Sequence, residues 1–204
     1  MSTDDDKNAA HNQAMIDLKS ERDTLMATKT ADSPGLLLVH TGDGKGKSTA
    51  AFGIVARALG WKQQVGIVQY IKGGWVTGER EFFKRFPDQV RYEVMGEGFT
   101  WDTQDRARDV ATAQAAWAVS MEMLNDPSLD LVVLDELNIA LRYDYLDIDQ
   151  VVGDLKARPR DKHVVITGRN AKPELIEIAD LVTEMTLIKH PFDQGILAQR
   201  GIDF

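Results

Sequence analysis

The sequence predicts an α/β domain, a mainly parallel sheet with helices on both faces. Two observations carry that expectation: short apolar runs recur from Gly35 onward, and longer stretches of helical period alternate with them. The first strand is expected at 35–40 (GLLLVH), after the break at Ser33-Pro34. A helical run, AAFGIVARALG, follows, and then strands at 65–71 (VGIVQYI) and 90–95 (VRYEVM). The clearest helix is 103–125, where Ala107, Val110, Ala111, Trp117, Met121 and Leu124 recur at three or four residues and Asn125-Asp126-Pro127 ends the run. Strands at 130–135 (DLVVLD), 163–167 (HVVIT) and 181–187 (LVTEMTL) complete the set.

Length and composition bound the function. The chain has 204 residues, 43% hydrophobic and 27% charged, which suits one globular domain with a sizeable core and an appendage. Its 24 Lys and Arg against 32 Asp and Glu give a net charge of -8, which argues against a nucleic-acid partner because non-specific binding draws on dense positive charge. Cysteine is absent, so disulfides, thiolate metal sites and cysteine nucleophiles are excluded together. His11, His40, His163 and His190 lack metal-motif spacing. No apolar run approaches the length of a membrane span and the start has no signal-peptide pattern, so a cytoplasmic location and no membrane partner are expected.

Residues 1–33 read as an N-terminal extension, opening on Asp4, Asp5 and Asp6, ahead of a domain at 34–204. Met15, Leu18, Leu25 and Met26 have roughly helical spacing, so a short amphipathic helix and a disordered tail are both open readings.

The most informative segment is Thr41-Gly42-Asp43-Gly44-Lys45-Gly46-Lys47-Ser48-Thr49, between the first strand and the helical run. Gly42, Gly44 and Gly46 let backbone N–H groups approach an anion at a helix N-terminus. Lys47 supplies a charge for phosphate oxygens and Ser48 a hydroxyl for Mg²⁺. The match to G-x-x-x-x-G-K-[ST] is imperfect, since Thr41 holds the first glycine position, and Lys45 adds a second positive charge. The order of strand, loop and helix predicts a P-loop NTPase-like (RecA-like) fold. Further on, Leu131-Val132-Val133-Leu134-Asp135-Glu136 puts two acids at the carboxyl end of an apolar strand, where they would face the same crevice as Ser48 and where one would hold Mg²⁺. The other reading is an acidic helix cap.

Together TGDGKGKSTAAFG, VQYIKGGW, GFTWDTQ, VVLDEL, ITGRN and KHPFDQG…QRGID make the sequence resemble the ATP:corrinoid adenosyltransferase family of the CobA/CobO/BtuR type over roughly residues 35–204. Ser48 stands where many relatives have threonine and Asp43 where asparagine is common. The first change keeps the hydroxyl ligand; the second is expected to weaken triphosphate affinity slightly.

The resemblance implies transfer of the 5′-deoxyadenosyl group of ATP to the cobalt of a reduced corrinoid (cobalamin, cobinamide or cobyrinic acid a,c-diamide), with triphosphate as leaving group. It implies that Lys45, Lys47, Thr49 and the loop glycines hold ATP, and that Phe99 and Trp101 of GFTW displace the lower axial ligand of the corrin so that cobalt can be reduced. Without it, both aromatics read as core or loop anchors. Arg169 and Asn170 are candidates for phosphate, ribose or a corrin amide; Trp75, Lys189, His190 and Phe192 either line the corrin pocket or pack. It further implies a homodimer whose extension covers an active site, and a reduced flavoprotein such as flavodoxin as electron donor. The competing readings are a RecA-like ATPase or kinase acting at the γ-phosphate, for which no water-positioning residue or arginine finger is evident, and a nucleotide switch without turnover.

Overall fold

The structure is a computed structural model that describes residues 4–29, 32, 34–71, 76–96 and 105–204. The chain divides into two compact units, Met1–Ser33 and Pro34–Phe204.

The first unit is a single helix, α1 (Asp4–Ala27), with Asp4, Asp5 and Asp6 in its first turn, where negative charge suits the helix dipole. None of its residues is buried, and Met15, Ile16, Leu18, Leu25 and Met26 are all exposed.

In the second unit the elements follow in the order β1 (Leu37–Thr41), α2 (Lys47–Gly60), β2 (Val65–Gln69), α3 (Gly78–Phe83), β3 (Val90–Val94), α4 (Arg106–Asn125), β4 (Leu131–Asp135), α5 (Leu137–Arg142), α6 (Ile148–Ala157), β5 (His163–Thr167), α7 (Pro173–Ile178) and β6 (Leu181–Glu184), with a 3-10 turn at Pro191–Gln194. Among the described residues six strands form one sheet in the order β3-β2-β4-β5-β1-β6, every pair parallel. The P-loop NTPase-like α/β expectation holds, and each predicted strand is present.

Both faces of the central strands β1, β2, β4 and β5 are covered, which is why those sequences are mainly apolar, whereas β3 is half-buried and β6 exposed at the edges. Along β4, Val132 and Leu134 join one core with Trp117, Met123, Leu137, Leu141 and Leu155, while Leu131 and Val133 join the other with Ala51, Phe52, Val55 and Phe83. The same alternation sends Leu37 and Val39 of β1 to the first core and Leu38 to the second. Each fully buried Leu, Ile or Val contributes about 1.5–3 kcal/mol, so the central strands anchor the carboxyl edge that carries the site.

Several strands are shorter than expected. β2 ends at Gln69, although Tyr70 N still donates to Asp135 O at the end of β4 (3.0 Å), and the Tyr70 hydroxyl bonds to Ser120 Oγ (2.7 Å). That buried phenol is held protonated above its usual range by desolvation. β6 ends at Glu184 because the next carbonyl serves the loop after β1: Gly44 N donates to Met185 O at 2.7 Å.

Candidate nucleotide site

The site is built where β1 passes into α2. Gly46, the residue before the helix, has φ 108° and offers no side chain as a cap, so the first-turn N–H groups of α2 face outward as an anion cradle. Gly42 has φ 90°, and a Cβ there would meet Met185 O at 2.5 Å. At Gly44 it would meet Met185 O and Thr186 O at 2.7 Å. The loop therefore lies directly on the chain following β6, an approach that only glycine permits.

Lys47 is buried and folds back on this loop, its Nζ donating to Gly42 O at 2.8 Å and Gly44 O at 2.6 Å. Gly44, Lys45, Gly46, Lys47, Ser48 and Thr49 line a cavity of about 440 Å³. Its other walls include Glu136, Arg142, Tyr143, Arg169 and Asp203. Gly42 lies beneath the loop and Asp43 is exposed; neither lines the cavity.

The two adjacent acids at the end of β4 separate sharply. Asp135 is fully buried: Oδ1 accepts from Thr167 Oγ1 at 2.7 Å and Oδ2 from Gln69 Nε2 at 2.9 Å. Glu136 takes a left-handed backbone conformation, φ 65°, its N–H donating to Thr167 Oγ1 at 2.9 Å, and it lines the cavity. Tyr92 adds a further link, its hydroxyl donating to Gln69 Oε1 at 3.4 Å. Tyr92 in the middle of β3 and Gln69, Asp135 and Thr167 at the carboxyl ends of β2, β4 and β5 thus link four neighbouring strands, and Thr167 fixes Glu136. Burial, reinforced by the charge of Asp135, pushes the Tyr92 phenol well above its ordinary range, so it stays a neutral donor.

Arg169 lines the cavity from the end of β5, as do Arg142 and Tyr143 from the end of α5. The Arg142 guanidinium sits 5.4 Å from the centroid of the Tyr143 ring, which stacks on Tyr145 at 5.7 Å. With the Asn170 amide turned so that its oxygen faces Arg142, it accepts from Nε at 3.3 Å and Nη1 at 3.0 Å. These contacts hold a planar cation in one orientation. Sequence reasoning missed Arg142 and Tyr143; their only signal is the position of Leu141-Arg142-Tyr143 at the end of the short helix after the two acids.

Lys45 also lines the cavity and forms an ion pair with Asp203. Its hydrogen bond holds the Asp203 carboxyl below the usual carboxylate range. Asp203 belongs to the QRGID segment and Glu79 lies in the first turn of the short helix α3, yet nothing local in the sequence assigns either to this wall. Trp75, Phe99 and Trp101 lie outside the described residues. Lys189, His190 and Phe192 do not line the cavity; Phe192 N donates to His190 Nδ1 at 3.1 Å, a local cap on the 3-10 turn.

A family model described as ATP:corrinoid adenosyltransferase BtuR/CobO/CobP matches residues 33–204. The chain belongs to the ATP:corrinoid adenosyltransferase family. A corrinoid adenosyltransferase from Pseudomonas aeruginosa is 55% identical over 204 residues, covering all of both chains. The corrinoid adenosyltransferase CobA of Salmonella typhimurium is 49% identical over 170 residues, 83% of this chain and 86% of that protein. Among solved structures, the flagellar accessory protein FlaH from Methanocaldococcus jannaschii aligns with a TM-score of 0.45 and 11% identity over 74% of this chain and 70% of that one. For this adenosyltransferase family member the strand order, not that overlay, defines the fold. No described helix is long and apolar enough to cross a membrane.

Proposed function

We infer that this chain transfers the 5′-deoxyadenosyl group of ATP to the Co(I) centre of a corrinoid substrate and releases triphosphate. The observation that carries the reading is the polyphosphate-sized cavity in a chain of this family, walled by Lys45, Lys47, Arg142 and Arg169 around the outward-facing first turn of α2. The cobalt electron pair attacks C5′, the C5′–O bond breaks, and its electrons leave on the triphosphate oxygen. Co(I) is already a strong nucleophile, so no general base is required. The protein's tasks are alignment for in-line attack and stabilisation of the growing charge on triphosphate. The loop N–H groups, Lys47 and the arginines suit the second task.

Mg²⁺ fits the donor set, because the Ser48 hydroxyl and the Glu136 carboxylate are hard oxygen ligands on the walls of one cavity. Bound there, Mg²⁺ would offset triphosphate charge. Asp135, with both oxygens engaged by neighbours, would act by placing Glu136.

The family resemblance and the GFTW spacing support Phe99 and Trp101 as the aromatics that displace the lower axial ligand, with Trp75 at the corrin pocket. A reduced flavoprotein such as flavodoxin would supply the electron that takes cob(II)alamin to cob(I)alamin. Incubation with ATP, Mg²⁺ and pre-reduced cob(I)alamin is expected to give adenosylcobalamin and inorganic triphosphate. ADP and orthophosphate without an organocobalt product would point instead to an ATPase or kinase. Starting the same reaction from cob(II)alamin and reduced flavodoxin, Phe99→Ala with Trp101→Ala should lose at least tenfold more activity than it loses with cob(I)alamin, a factor of about 1.4 kcal/mol in barrier. Equal losses remove the axial-ligand role. The homodimer is likewise proposed from the resemblance; sedimentation showing only monomer at assay concentrations excludes it.

A further inference from the structure

Residues 199–204 form a compact turn in which Gln199 N donates to Asp203 Oδ2, Asp203 N to Gln199 O and Gly201 N to Phe204 O, each at 2.8 Å. The turn stands between two cavities. Ile202 and Asp203 face the phosphate loop, while Gly201, Ile202 and Phe204 line a neighbouring space walled by Phe52, Phe82 and Phe83. The remaining oxygen of Asp203, Oδ1, pairs with Lys45.

We propose that Asp203 is the resident counter-ion of the phosphate loop: it neutralises Lys45 when no polyphosphate is bound, yields it when one arrives, and so sets how tightly the loop keeps its triphosphate product. The inference rests on the reading of the cavity as a triphosphate site.

Three observations support this role. The backbone bond from Gln199 keeps the carboxylate aimed at Lys45, so the pair re-forms without a search through rotamers. The Lys45 side chain is 49% exposed, so its attachment to one carboxylate is worth a factor of about five at most, and a polyphosphate carrying several charges displaces it. The cavity wall carries Lys45, Lys47, Arg142 and Arg169 against Glu79, Glu136 and Asp203, so one carboxylate is a substantial part of the opposing charge. Asp203 acts through Lys45 and is a positioning residue.

The test is calorimetric titration of the full chain with inorganic triphosphate. Asp203→Asn is expected to tighten binding by about two- to fivefold, and Asp203→Glu to stay near the unsubstituted protein. On a Lys45→Gln background, Asp203→Asn should tighten binding clearly less than it does with Lys45 in place, a coupling that a merely structural turn would not produce. In turnover, inhibition by added triphosphate should deepen by the same factor in Asp203→Asn. Unchanged or weaker triphosphate binding in Asp203→Asn overturns the proposal while leaving the site reading intact. An unsubstituted chain that binds no triphosphate removes both.

Discussion

Lys47→Ala is expected to lower kcat/KM for adenosyl transfer by about a thousandfold, or about 4 kcal/mol, when assayed with pre-reduced cob(I)alamin so that cobalt reduction does not limit the rate. The size of the effect follows from its position. Lys47 is buried, at the N-terminus of α2, with its ammonium held by the carbonyls of Gly42 and Gly44. A triphosphate in the cradle meets that charge in a partly desolvated setting, where it counts for far more than a surface lysine. Both sides of the reaction are affected, since the charge binds ATP and stabilises the leaving group. Lys47→Arg should restore little, because a planar guanidinium cannot replace a compact ammonium between two carbonyls. A loss smaller than tenfold would place the charge stabilisation elsewhere.

Gly42→Ala should both destabilise the fold and disable the loop. The residue has φ 90°, which costs an L-residue about 1–3 kcal/mol, and the added Cβ would lie 2.5 Å from Met185 O and 2.8 Å from Met185 N. Those are backbone atoms, so the loop must lift off the chain that follows β6. Lifting it breaks the bond from Gly44 N to Met185 O and releases the carbonyls that hold Lys47. Denaturant unfolding is expected to show a loss of about 2–4 kcal/mol, with ATP affinity reduced at least tenfold. Gly53→Ala provides the contrast: its Cβ would meet nothing within 4 Å in the middle of α2, so stability should hold or rise by up to about 1 kcal/mol. If the two substitutions behave alike, the close approach at Gly42 is not what holds the loop.

The glycine loop, α2 and the strands were legible in the sequence because local patterns specify them: glycines where the backbone must open, and apolar runs, longest in the central strands whose two faces are covered. Strand ends were less legible. The Tyr70 side chain, just past β2, is held by Ser120, and no property of the VGIVQYI run encodes that distant contact. The sequence also could not divide the work between Asp135 and Glu136. Their separation depends on the left-handed turn at Glu136 and on Thr167, a residue of the neighbouring strand. Arg142 and Asp203 were illegible for a related reason. One is placed by the direction of a short helix, the other by a pair spanning positions 45 and 203, and neither leaves a periodic trace.

The placement of β5 between β1 and β4 gives the cleft its gauge. Two strand spacings, about 9.5 Å, separate the chain that enters the glycine loop from the chain that ends at Glu136. The sheet order therefore keeps the two banks of the cavity, the glycine loop and Glu136, apart by the width of β5 while leaving both open to the same space.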